Sequence, residues 1–106
     1  MKRGNVYWVN LNPTKGSEIN KKRPCVLVGA TPINKARRTV VIVPLSTAAT
    51  SRPPLVISVI CDNKNVTAIC DQIRTVDKSR LENKICELST EDLEKVDEGL
   101  RAILSL

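Results

Sequence analysis

Between Asn5 and Cys70 the chain is cut into five short apolar runs, each ended by a polar turn. Asn5–Leu11, Pro24–Gly29, Thr39–Leu45, Leu55–Cys61 and Val66–Cys70 read as strands. Asn12–Arg23 is a polar loop carrying Pro13 and Gly16, and Thr31–Arg38 is a short basic connection with one helical turn. Ser46–Pro54 is a small-polar loop and Asp62–Asn65 a turn. Tyr7 and Trp8 are the only rings, so Val, Ile and Leu must fill the core, which suits strands. Uninterrupted apolar strands are usually covered on both faces, as in a compact barrel. After Ser89 the pattern changes. Ser89 is a good N-cap, Glu91 and Asp92 occupy the first turn, and Leu93, Val96, Leu100, Ile103 and Leu104 recur at helical spacing. A second short helical turn is expected at Asp77–Leu81. The expected class is mostly β, with a C-terminal amphipathic helix closing the barrel. A chain of 106 residues supports one core, hence a single domain over 1–106.

Charge is distributed unevenly. Residues 1–70 hold 11 Lys/Arg against Glu18 and Asp62, a balance of +9; residues 71–106 hold six Lys/Arg and nine acids, −3, for the total of +6. A basic surface concentrates polyanions, and phosphate backbones are the commonest in a cell. With two rings, the chain is a poor candidate for stacking successive bases on aromatic platforms. Cys25, Cys61, Cys70 and Cys86 form no C-x-x-C pair and sit in apolar stretches, which suits buried hydrophobes rather than a metal site. No secretory pattern and no membrane-length apolar run occur, so the cytosol is the expected location.

The chain has no histidine, which removes Ser–His–Asp and Cys–His catalysis. No phosphate-cradling Gly loop and no acidic cluster for two metals are present. What remains is Arg, Lys, hydroxyls and a single carboxylate, so neither metal nor cofactor is expected. Cleavage of an RNA backbone fits that inventory. The 2′-hydroxyl is an internal nucleophile, and the protein must orient it and stabilise charge on the phosphorane. Arginine suits the second task, because its planar guanidinium donates bidentately to phosphate. Arg23, at the edge of the second strand, is the first candidate; its other reading is a surface charge. Ser46 and Thr47 follow the third strand and offer hydroxyls, or simply a turn. Asp71-Gln72 sits where an apolar strand ends, Asp71 being either a working carboxylate or a structural partner of Arg74. Lys21, Lys22 and Arg74, with nearby Arg37, Arg38 or Arg52, are candidate cations for the polyanion.

Four blocks taken together resemble the MazF/PemK/Kid toxins. Arg3–Glu18 (RGNVYWVNLNPTKGSE) is similar to the R-G-D-x-Y-x-x-x-L-x-P-x-x-G-S-E opening of that family, and Lys22–Val28 (KRPCVLV) to its x-R-P-x-x-V-V strand. Val43–Thr47 (VPLST) resembles V-P-x-T-S/T, and Asp71–Leu81 (DQIRTVDKSRL) resembles D-Q-I-R-T-I-D-K-x-R-L. The resemblance implies an SH3-like small barrel of the CcdB/PemK type, usually a homodimer. It implies a metal-independent endoribonuclease that cuts single-stranded mRNA at specific sequences and leaves a 2′,3′-cyclic phosphate and a 5′-hydroxyl. It also implies a cognate antitoxin, whose acidic, disordered segment would occupy the RNA groove. Arg23 matches the catalytic arginine, Ser46 the catalytic threonine, and Asp71 a carboxylate used as base in some Kid-type members. Glu18 and Gln72 match positions of RNA contact.

The match has departures. Ser17 stands where some members have His, and Ile69 where some have Arg. The chain therefore lacks the His/Arg/Asp arrangement proposed for Kid and is closer to members that rely on Arg and Thr. Two other readings share the fold: a CcdB-like gyrase poison and an RNA-binding module that does not cut. The first is disfavoured because the chain ends Ser-Leu rather than in the Trp-Gly-Ile tail of such poisons.

Overall fold

A computed structural model describes all of residues 1–106. Its strands are β1 (Asn5–Asn10), β2 (Lys22–Leu27), β3 (Thr39–Ser46), β4 (Val56–Cys61), β5 (Lys64–Ile69), β6 (Arg74–Asp77) and β7 (Leu81–Glu87), with helices α1 (Thr31–Ala36) and α2 (Thr90–Leu104). The strands form one curled antiparallel sheet in the order β4-β5-β3-β2-β1-β7, with β6 also paired to β3. Its two edges approach each other, with β4 in contact with β7 and Cys61 of β4 neighbouring Cys86 of β7. The mostly-β class with a terminal helix is as the sequence pattern predicts.

β6 and β7 are additions to that pattern. Only Val76 of β6 is buried, and Glu82–Lys84 of β7 are exposed, so neither strand carries an apolar run. Both form by pairing, β6 with the first half of β3 and β7 with β1. The expected helical turn at Asp77–Leu81 is a single 3-10 turn over Lys78–Arg80, where Asp77 accepts a hydrogen bond from the Ser79 amide. The expected Asp62–Asn65 turn tightens to Asp62-Asn63, both left-handed at φ 52° and 62°, joining β4 to β5.

The core has two parts. One of 14 residues lies between the sheet and α2 and includes Val26, Leu45, Val59, Val96 and Leu100. The other, of seven, is built on β1, β2, β3 and β6 around Val9, Leu27, Ile42 and Val76. Ser89 caps α2 by accepting from the Asp92 amide at 3.1 Å. Asp92 in turn accepts from the Ile60 amide at 2.9 Å and so satisfies a donor on edge strand β4. Gly99 lets α2 approach the loop before β4, since a Cβ there would lie 2.8 Å from the Pro54 carbonyl oxygen. Of the predicted helical stripe, Leu93, Val96, Leu100 and Ile103 pack inward and Leu104 stays about half exposed. No helix is long and apolar enough to cross a membrane.

Candidate active site

The site is made by β3 changing partners. Its middle pairs with β2 at Cys25–Pro44, Val26–Val43 and Leu27–Ile42, and its end pairs with β5 at Leu45–Ala68 and Ser46–Thr67. The β2–β3 register, carried two residues past Cys25–Pro44, brings Arg23 opposite Ser46. No ladder forms there, because Pro24 lacks an N–H and β3 has turned towards β5. The strands part, and a cavity of about 190 Å³ opens between them. Arg23, Ser46 and Thr47 line it with Lys22, Trp8 and Pro24, and no carboxylate does.

Arg23 is half-buried and braced. Its Nε donates to the Asn20 carbonyl at 3.2 Å, which leaves both terminal nitrogens free. The Ser46 oxygen accepts from the amides of Ala48 at 3.1 Å and Ala49 at 3.4 Å. Its acceptor capacity is thus taken and its proton is available, which makes Ser46 a donor rather than a base. The buried Thr67 hydroxyl donates to the Ser46 carbonyl at 3.0 Å and fixes this turn from β5. Together they present donors suited to an anion: one planar cation, one hydroxyl donor and the Lys22 ammonium, which is also 2.9 Å from Glu82.

A second group of candidates gathers at the root of the loop between β1 and β2. Asp71 and Gln72 sit on a 3-10 turn after β5, and Gln72 accepts from the Ile19 amide at 3.3 Å. Arg74 donates to the Leu11 carbonyl at 3.3 Å. Asp71 is exposed and forms no ion pair, so the pairing with Arg74 expected as its structural reading is not made. It does not line the Arg23–Ser46 cavity. The two groups are tied to adjacent loop residues, Gln72 to Ile19 and Arg23 to Asn20. Glu18 is exposed beside them and accepts from the Lys15 amide at 2.6 Å; Lys21 is exposed, at φ 65°. Arg37 and Arg38 do not join this groove. They precede the eight-residue β3 that Ser46 ends, which sets Arg38 about 26 Å from Ser46 along the strand, at about 3.3 Å per residue, and neither lines the cavity. Arg52 lies beyond the cavity lining, on the loop bridged to Val56.

The family model for the PemK-like, MazF-like toxin of type II toxin–antitoxin systems matches residues 2–104. The chain belongs to this family. It is 38% identical over 112 aligned residues to "Endoribonuclease EndoA" of Bacillus subtilis (strain 168), covering 100% of this chain and 96% of that protein. The fold matches that of MazF (Form-I) from Deinococcus radiodurans, with a TM-score of 0.89, 20% identity, and 100% and 97% of the two chains covered. An endoribonuclease in complex with its cognate antitoxin from Mycobacterial species matches at TM-score 0.84 and 23% identity, over 100% and 96%.

In this toxin, Cys25 lies beneath the site. Burial pushes its thiol up to about 12 from 9.0, although Arg74 and Arg23 nearby pull it down. The folded chain therefore keeps the proton between pH 9 and 12 while the unfolded chain loses it. The thiol's contribution to stability is full below the unfolded value and declines as pH rises through this window. Melting temperature should fall as pH is raised above 9, and Cys25 should resist iodoacetamide at neutral pH until urea unfolds the chain. Rapid alkylation of folded protein would contradict this burial. No group of three Cys, Asp or Glu side chains is arranged to hold a metal ion.

Two residues of the site carry no warning in the sequence. Thr67 reads as an ordinary strand residue, and only the β3–β5 pairing reveals that it holds the Ser46 turn. Trp8 reads only as part of the first strand, yet it is 42% exposed and lines the cavity. Trp8 keeps the face of Val6, while Tyr7 and Val9 turn to the other part of the core, and it stays exposed because its end of that face borders the open cleft.

Proposed function

We propose that this endoribonuclease toxin cleaves single-stranded mRNA, at particular sequences and without a metal, by attack of the 2′-oxygen on the adjacent phosphorus. The observation that carries the reading is Arg23 set opposite Ser46 across the gap where β2 and β3 part. The terminal nitrogens of Arg23 donate to the non-bridging phosphate oxygens and stabilise the phosphorane. The Ser46 hydroxyl donates to the same oxygens. As the 2′-oxygen bonds to phosphorus, its proton passes to a base, for which Asp71 is the proposed carboxylate, approached as the loop that joins the two groups settles on RNA. The bond to the 5′-oxygen breaks, that oxygen takes a proton, and a 2′,3′-cyclic phosphate remains. Lys21, Lys22, Thr47, Glu18, Gln72 and Arg74 are proposed to hold flanking nucleotides.

All 106 residues are proposed to act as one toxin domain in the cytoplasm. The partner is proposed to be a cognate antitoxin whose acidic segment fills the Arg23 groove in place of RNA, with binding that weakens in salt. A homodimer is proposed through the face where Leu104 and Leu106 stand exposed beside Val28, Val41 and Ile73. Sedimentation at micromolar concentration should give twice the chain mass; the mass of one chain would contradict the dimer.

The test is cleavage of total RNA with end-mapping of the fragments, in buffer and in excess chelator. Cleavage at recurring sites in both is expected. Activity lost in chelator and restored by one divalent ion would overturn the chemistry, and intact RNA throughout would favour a non-cleaving or gyrase-directed toxin. Ser46→Ala should lower turnover, though less than loss of Arg23, and Ser46→Thr should keep it, because the hydroxyl donor returns. Normal turnover in Ser46→Ala would move the role to Thr47.

A further inference from the structure

A second cavity, of about 210 Å³, adjoins the Arg23–Ser46 cleft and runs to the β4–β5 hairpin, where Asp62 and Lys64 border it. Trp8, Pro24, Leu45, Thr47 and Val66 line both cavities, so the two share one largely apolar floor. Trp8 is the unusual member. Val6 and Val9 on the same strand are fully buried, while the indole is left 42% exposed. Pro24 lies beside it across the β1–β2 register and lines both cavities with it. A ring held half in water at the edge of an anion site leaves apolar surface for a flat partner to cover.

We infer that this second cavity is a nucleobase pocket, in which the base beside the scissile phosphate stacks on Trp8 and presents its edge to Asp62 and Lys64. The inference rests on the reading that a phosphodiester lies between Arg23 and Ser46. The trough runs from cation and hydroxyl donors, through an apolar ring, to an exposed carboxylate and ammonium. A nucleotide has the same order of phosphate, base face and base edge. A carboxylate accepts from the exocyclic amine of a base, and an ammonium donates to its carbonyl oxygen or ring nitrogen. Neither Asp62 nor Lys64 is engaged in an ion pair. Asp62 is held by the tight hairpin, whose two turn residues are both left-handed, so its carboxylate starts from a fixed backbone. With one ring at the site, the stacking is of a single base, which agrees with a chain that has no array of aromatic platforms.

Trp8 is the only tryptophan, so intrinsic indole fluorescence reports this pocket alone. The probes are a short single-stranded 2′-deoxy oligonucleotide of random sequence and an abasic phosphodiester of equal length and charge. Neither offers a 2′-hydroxyl, so neither is consumed. The base-bearing probe should quench the emission and bind more tightly than the abasic one, by about 5- to 150-fold for one stacked base. Equal quenching and equal affinity would overturn the inference, as would absence of binding by both. On RNA, Trp8→Leu should raise KM by about the same factor while Trp8→Phe stays within a few-fold, because a ring is retained. Asp62→Asn should change the base preferred beside the mapped cut. Circular dichroism confirms the fold of each variant; if Trp8→Leu unfolds, the titration of the unaltered protein decides. A folded Trp8→Leu with unchanged KM removes the base pocket and leaves RNA cleavage intact. Failure of the unaltered protein to cut RNA removes the underlying reading instead.

Discussion

Arg23→Ala should cut RNA about 100- to 1,000-fold more slowly, a loss of roughly 2.7–4 kcal/mol of transition-state stabilisation if it resembles removal of one oxyanion donor. The geometry explains why the loss falls on turnover. Arg23 spends its Nε on the Asn20 carbonyl and keeps its terminal nitrogens for the substrate. The phosphorane carries more charge on its equatorial oxygens than the ground-state diester, so donors fixed here gain most as the reaction proceeds. Binding should weaken only modestly, with a shallower salt dependence, because one phosphate contact is lost among several. Arg23→Lys should recover part of the affinity and little of the rate, since an ammonium cannot donate in the planar bidentate manner. Single-turnover cleavage set beside anisotropy binding separates the two effects. An alanine variant with normal turnover and poor binding would make Arg23 a positioning charge only.

The second large effect is on stability. Leu27→Ala should cost about 2–5 kcal/mol. Leu27 is fully buried in the smaller core part, pairs with Ile42, and its carbonyl accepts from the Gly4 amide at 2.8 Å. Its neighbours belong to strands tied on both sides, so the void cannot readily collapse. Against a total stability of roughly 5–15 kcal/mol, that loss is a large fraction. It should lower the melting midpoint by about 4–8 °C for each kcal/mol. A urea titration gives the free energy, and a midpoint within error of the unaltered protein would contradict this placement of the core.

The strands legible in the sequence are those that fill the core. β1 to β5 carry apolar runs bounded by Pro, Gly and Asn, and their bounds shift by only a few residues in the structure. β2 starts at Lys22 rather than Pro24 because Asn10 pairs with Lys22, so its first turn of ladder is set by the partner strand and not by hydrophobicity. β6 and β7 escape for the same reason, since each exists through pairing and leaves most of its side chains in water. For the site, the residue types of Arg23 and Ser46 were legible. Their juxtaposition was not, because it depends on where β3 leaves β2 for β5. Asp71 and Gln72 are placed by one long-range hydrogen bond from Ile19, and Trp8 is exposed because its end of β1 borders the open cleft, neither of which leaves a local pattern.

The most direct test of the internal-nucleophile account is a mapped RNA substrate that carries a single 2′-deoxy sugar at the scissile position. The account predicts that the unaltered toxin binds it as tightly as the full ribose substrate and does not cut it. Cleavage of that substrate would contradict the account and require a group that activates water.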